Sequence, residues 1–400
     1  MDSQEGSRWQ FPTDAFVEIL LRLPPNTRHR FRLVSRHWRN VVDESSFMFP
    51  QCPKTIVVTD GGSPFVVDDR TGRRKDLWSS STPPRCRSMC IVGTSNGLVC
   101  LCDDEVPGGA ITVANPVTGE TLDVPPLPLL PSCDDADQEQ CHHGRWHQAY
   151  SFGYLPTTKR YKVVRVPCRF DDQDCFDDQD SEFPTLQVFT LGEESWREVV
   201  IPASFSGCNL GLGIVNINGM MYWIAADGHL VSFDLEEECA MIVRPQPWTM
   251  SNKCFLTEVH GRLGVVVRDF ILMDEQTEVW VMDNLQWSRW YILQVTPPRK
   301  RPGQRRRGYQ RLTCPHFVQY TDHVLTWESN SGHVGLYKHK PGKYNEIIGR
   351  GSGGWGGVVG RIDDKDRGMV VADIEGCSDT RVFAYVETRE SLNAYTLGDN

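Results

Sequence analysis

Residues 186–201 read LQVFTLGEESWREVVI, which is a short alternating apolar strand, a polar turn and a second strand. Successive side chains of a β-strand point to opposite faces, so this alternation predicts a hairpin with a packed side. The pattern recurs along the chain, and a repeated β architecture is therefore predicted. The further copies are residues 64–78, 111–124, 230–243, 278–293, 334–348 and 382–397.

The spacing of the copies indicates a β-propeller. Anchored on the second residue of each copy, they fall at positions 65, 112, 187, 231, 279, 335 and 383. The steps are 47, 75, 44, 48, 56 and 48 residues, and most lie near the ~40–50 residues of a propeller blade. The longest step holds two predicted loop insertions, residues 127–147 and 171–182. A propeller of six or seven blades is therefore predicted.

Turn sequences support this reading and suggest how the ring closes. Asn96-Gly97, Asn218-Gly219 and His260-Gly261 precede apolar strands and supply the positive φ angles that tight hairpins need. A propeller must also close, because an unpaired blade edge would expose backbone and apolar groups to water. We expect the strand at residues 382–385 to complete the blade that holds residues 56–59 and 64–67.

Residues 11–42 differ from the rest and predict two short amphipathic helices separated by Pro24-Pro25. A module of this size cannot bury its own apolar side chains, so the rest of the chain or a partner must cover them. The apolar stripe of the first helix is Phe16, Ile19, Leu20 and Leu23, and that of the second is Phe31, Val34, Trp38 and Val41.

This N-terminal stretch resembles an F-box. The resemblance rests on FPTDAFVEILLRLP at residues 11–24, followed by RFRLVSRHWR at residues 30–39. The β region is similar to the propeller domain that follows the F-box in many plant F-box proteins, through runs such as NGLVCL at 96–101 and NPVTGE at 115–120. The positions that match the F-box pattern are Pro12, Ile19, Leu20, Leu23, Pro24, Arg30, Val34, Arg36 and Trp38.

The resemblance implies a non-catalytic substrate-recognition subunit of an SCF-type cullin–RING ubiquitin ligase. Such a subunit docks on a Skp-family adaptor and holds a protein substrate. The implied fold is mainly β, with a tail at residues 1–10, F-box helices at 11–50 and a propeller-like domain at 51–400. The implied adaptor-binding residues are Pro12, Phe16, Ile19, Leu20, Leu23, Pro24, Val34 and Trp38.

Composition narrows the class of partner and the compartment. The net charge of −10 disfavours a general nucleic-acid binder. The polar first ten residues do not resemble a signal peptide, and no stretch is long enough to span a bilayer, so we expect a soluble protein without a membrane partner. The fourteen cysteines lack a compact disulfide spacing, which favours reduced thiols in the cytoplasm or nucleus.

Several motifs suggest ligands but are better explained as loops. Gly349, Gly351 and Gly354 spell G-x-G-x-x-G, but a strand rather than a helix is predicted next, which favours a turn over a phosphate cradle. Residues 171–182 are acidic and lack the glycine of an EF-hand, so we interpret them as a solvated loop. The basic residues between 299 and 307 predict an exposed loop, with a nuclear import signal as the alternative.

No cofactor, metal site or catalytic residue is predicted. Zinc-type ligands occur without an organising spacing, which favours a surface loop for the first group below and ordinary thiols for the first pair. The second pair alternates along a predicted strand, where small packed side chains fit. These residues are Cys133, Cys141, His142 and His143, together with the pairs Cys86 with Cys90 and Cys100 with Cys102.

Two other functions stay open from the residues alone. A propeller enzyme, such as an oxidase or hydrolase with an unrelated helical leader, could assemble its catalytic groups from distant blades. A nucleic-acid binder could use the Arg-rich helix at residues 27–42 in a helix-turn-helix, although the net charge disfavours this.

Overall fold

The computed structural model consists almost entirely of β-strands in the part of the chain that it describes. Short 3₁₀ turns lie at Pro84–Arg87, Trp146–Ala149 and Leu392–Tyr395, and no α-helix occurs among these residues. The described residues are 54–59, 63–68, 73–128, 145–155, 157–166, 185–202, 213–225, 227–244, 253–268, 276–283, 286–294, 311–312, 316–317, 324–330, 333–339, 342–344, 359–363, 369–375 and 380–396.

Five sheets contain the four-stranded antiparallel meander of a propeller blade, and we number them in chain order. Blade 1 contains β1 (Lys54–Thr59), β2 (Phe65–Asp68) and β3 (Arg74–Asp76). Blade 2 contains β4 (Cys90–Ser95), β5 (Leu98–Asp103), β6 (Ala110–Ala114) and β7 (Thr121–Asp123). Blade 3 contains β8 (Tyr150–Leu155), β9 (Arg160–Arg165), β10 (Thr185–Thr190) and β11 (Arg197–Val200).

Blades 4 and 5 continue the same order. Blade 4 contains β12 (Val215–Ile217), β13 (Met220–Ile224), β14 (Leu230–Asp234) and β15 (Cys239–Ile242). Blade 5 contains β16 (Lys253–Val259), β17 (Arg262–Arg268), β18 (Gln276–Asp283) and β19 (Gln286–Gln294).

The remaining strands break this regularity. They are β20 (Arg311–Leu312), β21 (His316–Phe317), β22 (Val324–Asn330), β23 (His333–His339), β24 (Gly342–Tyr344), β25 (Val359–Asp363), β26 (Met369–Glu375) and β27 (Thr380–Tyr385). A sixth sheet has the order β20-β22-β23-β26, with β21 also paired to β22, whereas β25 and β24 extend blade 5. Strand β25 runs parallel to β19, which a meander cannot produce.

The blade count of six or seven was wrong, and the structure shows a five-blade arrangement with one irregular sheet. Five of the seven repeat copies form the predicted hairpin, from β2–β3 in blade 1 to β18–β19 in blade 5. The copy at 334–348 supplies β23 and β24, which join different sheets. The copy at 382–397 supplies β27 and then a 3₁₀ turn. Local alternation predicts a strand, but it does not specify which edge that strand pairs with.

The closure prediction is confirmed. Strand β27 pairs antiparallel with β1, so the last described strand completes the sheet begun by the first. The register places Ile56 opposite Phe383 and Val57 opposite Val382. Blade 1 therefore depends on residues from both ends of the described chain.

The predicted tight turns are also confirmed. Asn96, Asn218 and His260 have φ angles of 48°, 51° and 51°, and each is followed by a glycine with positive φ. A hairpin turn with two successive positive φ angles matches the right-handed twist of the flanking strands. The Asn-Gly and His-Gly turns have this conformation, and they join the first and second strands of blades 2, 4 and 5.

Apolar side chains pack between neighbouring blades. Strand β5 is buried along nearly its whole length, and Cys100 and Cys102 are fully buried within it. Their interpretation as small packed strand residues is therefore confirmed. Val113, Phe152 and Tyr161 belong to a cluster between blades 2 and 3, while Trp223 and Phe233 belong to one between blades 3 and 4. Each blade thus buries the face of the next.

The predicted N-terminal helices lie outside the residues that the structure describes. Within the described part, no helix is long and apolar enough to cross a membrane.

Candidate partner-binding face

The alternating strand directions of each blade sort its connections between two faces of the molecule. Turns between the first and second strands and between the third and fourth lie at one end, which we call the tight-turn face. It carries Asn96-Gly97, Asn218-Gly219 and His260-Gly261. The opposite end receives the start of each first strand and the end of each second strand. We call it the long-connection face.

The largest insertions of the sequence begin and end at the long-connection face. The chain leaves it after Pro128 and returns before Tyr150, and it leaves again after β9 and returns at β10. It departs once more after β19. The insertions themselves lie outside the described residues. The sequence of the second contains seven acidic residues at 171–182, and that of the third contains six basic residues at 299–307.

The tight-turn face is partly covered by the chain's own C-terminal segment. We call residues 386–396 the C-terminal clasp. The side-chain amide of Asn115 donates to the backbone carbonyl of Glu390 at 2.8 Å, and the backbone N–H of Leu392 donates to Glu120 at 2.8 Å. Leu392 itself is buried in the cluster between blades 2 and 3. The clasp therefore occupies surface that a partner would otherwise contact.

Glu390 anchors the clasp through two tyrosines. The hydroxyl groups of Tyr161 and Tyr395 each donate to its carboxylate at 2.6 Å, one to each oxygen. Burial raises the pKa of both tyrosines, and the Glu390 carboxylate raises them further. Both hydroxyls therefore keep their protons and act as hydrogen-bond donors at neutral pH.

The first described residue also lies at the tight-turn face, because β27 is the first strand of blade 1 in sheet order and β1 is the second. Lys54 is paired with Tyr385 across β1 and β27, and its ammonium lies 2.6 Å from the carboxylate of Glu387 in the clasp. The chain from residues 1–53 therefore enters the propeller at this face. The long-connection face lies on the opposite side of the propeller from this entry point.

An ionic network on the tight-turn face joins blades 3 and 4. The Lys162 ammonium and the Arg197 guanidinium lie 2.7 and 2.6 Å from the Glu238 carboxylate. Burial alone would raise the pKa of Glu238, but the hydrogen bonds from Lys162 and Arg197 lower it on balance. A small cleft lies beside this network, and because Glu193 and Glu238 already pair with its cations, we interpret it as a junction between blades.

A cluster of Cys90, Asp104 and His147 lies at the long-connection face. Cys90 begins β4, Asp104 follows β5, and His147 lies in the 3₁₀ turn before β8. The His147 backbone N–H donates to one Asp104 oxygen at 2.8 Å, while Nδ1 lies 2.5 Å from the other. Burial alone would raise the pKa of Asp104, but the hydrogen bonds and charge of His147 lower it on balance.

Sequence reasoning missed this cluster because its members are far apart in the chain. Cys90 was considered only with Cys86, and no short motif links it to Asp104 or His147. The available signal was indirect. The turn at Asn96-Gly97 places the start of β4 beside the end of β5, and a register shift between Ile91 and Gly93 then sets Cys90 opposite Cys102, two residues before Asp104.

Most residues that the sequence singled out lie outside the described part of the chain. This applies to the acidic and basic runs, to Cys133, Cys141, His142 and His143, and to Gly349, Gly351 and Gly354. It also applies to the predicted adaptor-binding residues Pro12, Phe16, Ile19, Leu20, Leu23, Pro24, Val34 and Trp38. Their proposed roles stay predictions.

Comparison with known families gives two matches along the chain. Residues 68–334 match the F-box associated beta propeller domain, and residues 9–50 match the F-box domain.

Individual relatives agree with these matches. An F-box/kelch-repeat protein of Arabidopsis thaliana is 24% identical over 353 residues, covering 78% of this chain and 77% of the relative. An F-box protein of the same plant is 26% identical over 322 residues, covering 72% of this chain and 73% of the relative. The computationally designed Ika8 protein aligns with a TM-score of 0.34 and 14% identity over 83% of this chain and 80% of that one, which is too distant to support an argument.

Proposed function

This chain belongs to the F-box associated beta propeller family, and from that premise we propose that it is the substrate-recognition subunit of an SCF-type cullin–RING ubiquitin ligase. The observation that carries the proposal is the order of domains, because an F-box match at residues 9–50 precedes the propeller match at 68–334. In this role the F-box docks on a Skp-family adaptor and the propeller holds a protein substrate.

The proposed docking surface is the apolar stripe of the F-box. Ile19, Leu20 and Leu23 recur at helical spacing, and burying each such side chain is worth roughly 1.5–3 kcal/mol. Several anchors are needed because association also costs translational, rotational and side-chain entropy. We propose that Pro12, Phe16, Pro24, Val34 and Trp38 complete the surface.

We propose that the substrate binds at the long-connection face. Two features support this. The chain enters the propeller at the tight-turn face, where Lys54 contacts Glu387, and the clasp covers part of that face. The insertions attached to the long-connection face carry opposite charges, which gives them scope for selective recognition of a protein partner.

In this function the chain does no covalent chemistry and needs no cofactor. It holds the substrate close to a ubiquitin-conjugating enzyme that the ligase recruits, which converts a bimolecular encounter into a local one. We propose that it acts in the cytoplasm, the nucleus or both. The lack of disulfides among its described cysteines suits a reducing compartment.

Co-purification with a recombinant Skp-family adaptor tests this function. A double variant, Leu20→Asp with Leu23→Asp, places two charges in the proposed apolar contact and should abolish adaptor recovery. Val200→Asp is the matched control, because Val200 is 67% exposed on the outer strand of blade 3. It should leave recovery unchanged. Equal recovery with the double variant and the wild type would refute F-box docking.

A further inference from the structure

We propose that Cys90, Asp104 and His147 form a binding site for a zinc-type divalent cation at the joint between blades 2 and 3. One ligand atom of each residue lies within 4.8 Å of the ligand atoms of the other two. Blade 2 supplies Cys90 and Asp104, and the turn that opens blade 3 supplies His147.

The three donors suit zinc better than the harder cations. Zinc takes thiolate sulfur, imidazole nitrogen and carboxylate oxygen, whereas calcium and magnesium prefer shells made of oxygen alone. Tetrahedral zinc bonds of about 2.0–2.3 Å place ligand atoms roughly 3.3–3.8 Å apart. The three ligand atoms lie within 4.8 Å of one another, and the His147 Nδ1 and Asp104 oxygen, 2.5 Å apart, must separate, so side-chain rotations are needed to admit the ion.

The charges of the site balance a buried divalent ion. The Cys90 thiolate and the Asp104 carboxylate together neutralise a charge of +2, while His147 binds as a neutral ring. The side chains of Asp104 and His147 are only 11% and 10% exposed, so an uncompensated charge would be costly there. Asp103 adds a negative charge near Cys90, and Arg381 adds a positive one from β27.

The backbone N–H and the ring of His147 hold the Asp104 side chain beside it, and a zinc ion bound by that ring nitrogen and carboxylate would replace the hydrogen bond between them. Asp104 accepts from the ring and the backbone of His147. Zinc binds cysteine as the thiolate, so binding of the ion releases the thiol proton of Cys90 to solvent.

Cys102 lies directly across from Cys90 and its thiol also hydrogen-bonds Asp104, but its sulfur falls outside the group of ligand atoms that lie within 4.8 Å of one another. A zinc ion with three protein ligands takes a water in its fourth position. Such an ion would tie the start of β4 to the start of blade 3. Its binding would stabilise the folded protein by mass action.

A second His–Asp pair provides a comparison within the same chain. Nδ1 of His229 lies 2.7 Å from an Asp227 carboxylate oxygen, which resembles the His147–Asp104 contact. That pair is exposed, and no cysteine joins it in a three-ligand group among the described residues. His229→Gln and Cys239→Ser, which alters an exposed cysteine, are therefore matched controls.

The test is a metal titration of the full-length chain after a chelator has removed bound ions. Zinc stoichiometry is measured by competition with a coloured indicator, and cobalt is used as a probe because a thiolate ligand gives a charge-transfer absorption band. Cys90→Ser and Asp104→Asn should each bind one zinc fewer than wild type, and Cys90→Ser should also weaken the cobalt band. Both controls should match the wild type.

An unchanged zinc stoichiometry with an undiminished cobalt band in Cys90→Ser would overturn the proposal. Melting curves of the metal-free proteins separate binding from folding. If Cys90→Ser fails to fold, the nearly isosteric Asp104→Asn decides, and wild-type stoichiometry in that variant would also overturn the site. The function proposed above does not depend on either result.

Discussion

Ile56 and Phe383 lie opposite each other in the antiparallel ladder that joins the first described strand to the last. More than three hundred residues separate them, so the blade that contains them forms only when both ends of the propeller meet. Contacts between residues so far apart in sequence form slowly, because the chain loses loop-closure entropy before the new contacts can offset that loss. The C-terminal strand is thus part of the core.

Truncation tests this closure. Deleting residues from Thr380 onward removes β27 and the clasp, which exposes the edge of β1 and the apolar cluster beneath Leu392. We expect an aggregated or protease-sensitive product by size-exclusion chromatography and limited proteolysis. A stop after Thr396 removes only the last four residues and should behave as wild type. A monodisperse, protease-resistant product from the longer deletion would show that the propeller does not need β27.

Two glycines in similar turns isolate the contact between the clasp and blade 2. Gly97 has φ +86°, and an added Cβ would lie 2.5 Å from the carbonyl oxygen of Val386. Gly261 has φ +78°, with nothing within 4 Å of an added Cβ. Alanine therefore strains the backbone at both sites but clashes only at Gly97. We expect Gly97→Ala to lower the free energy of unfolding by about 1–3 kcal/mol more than Gly261→Ala in urea titrations. Equal losses would contradict the clasp contact.

Glu390 should contribute to stability through its two tyrosines. Glu390→Ala leaves the buried hydroxyl of Tyr161 without its acceptor, and an unsatisfied buried group costs about 1–3 kcal/mol. The melting temperature should fall accordingly. Glu237→Ala removes an exposed carboxylate from the same face and should have little effect. A Glu390→Ala protein as stable as wild type would contradict the proposed anchor.

The network of Glu238 predicts a specific dependence on pH. Its folded-state pKa is lowered from an ordinary value of 4.5, so its stabilisation is present above that value and is lost as the pH falls through the lowered pKa. Wild type should exceed Glu238→Gln in stability at pH 7, and the gap should narrow as the pH falls below about 4.5. Urea titrations of both proteins from neutral to acidic pH measure this difference in the free energy of unfolding. A gap that stays constant would contradict the assignment.

Local sequence signals predicted the fold where hydrogen bonding is local. The Asn-Gly and His-Gly turns join the first two strands of blades 2, 4 and 5, and the alternating repeat copies form a hairpin in each of the five blades. The partners of β23 and β24 were not predictable, because alternation in 334–348 describes a strand and says nothing about its neighbour. The Cys90–Asp104–His147 cluster was not predictable for a related reason, because its members meet only when two blades pack together.

Affinity purification of the tagged full-length chain from its native tissue with the proteasome blocked tests most directly whether the chain recruits a ubiquitin ligase. We expect a Skp-family adaptor and a cullin to co-purify with wild type. Both should be lost from the Leu20→Asp, Leu23→Asp double variant while its propeller resists proteolysis. Absence of the adaptor and cullin from the wild-type eluate, or their equal recovery with the double variant, would show that the chain does not act as an F-box subunit of a ligase.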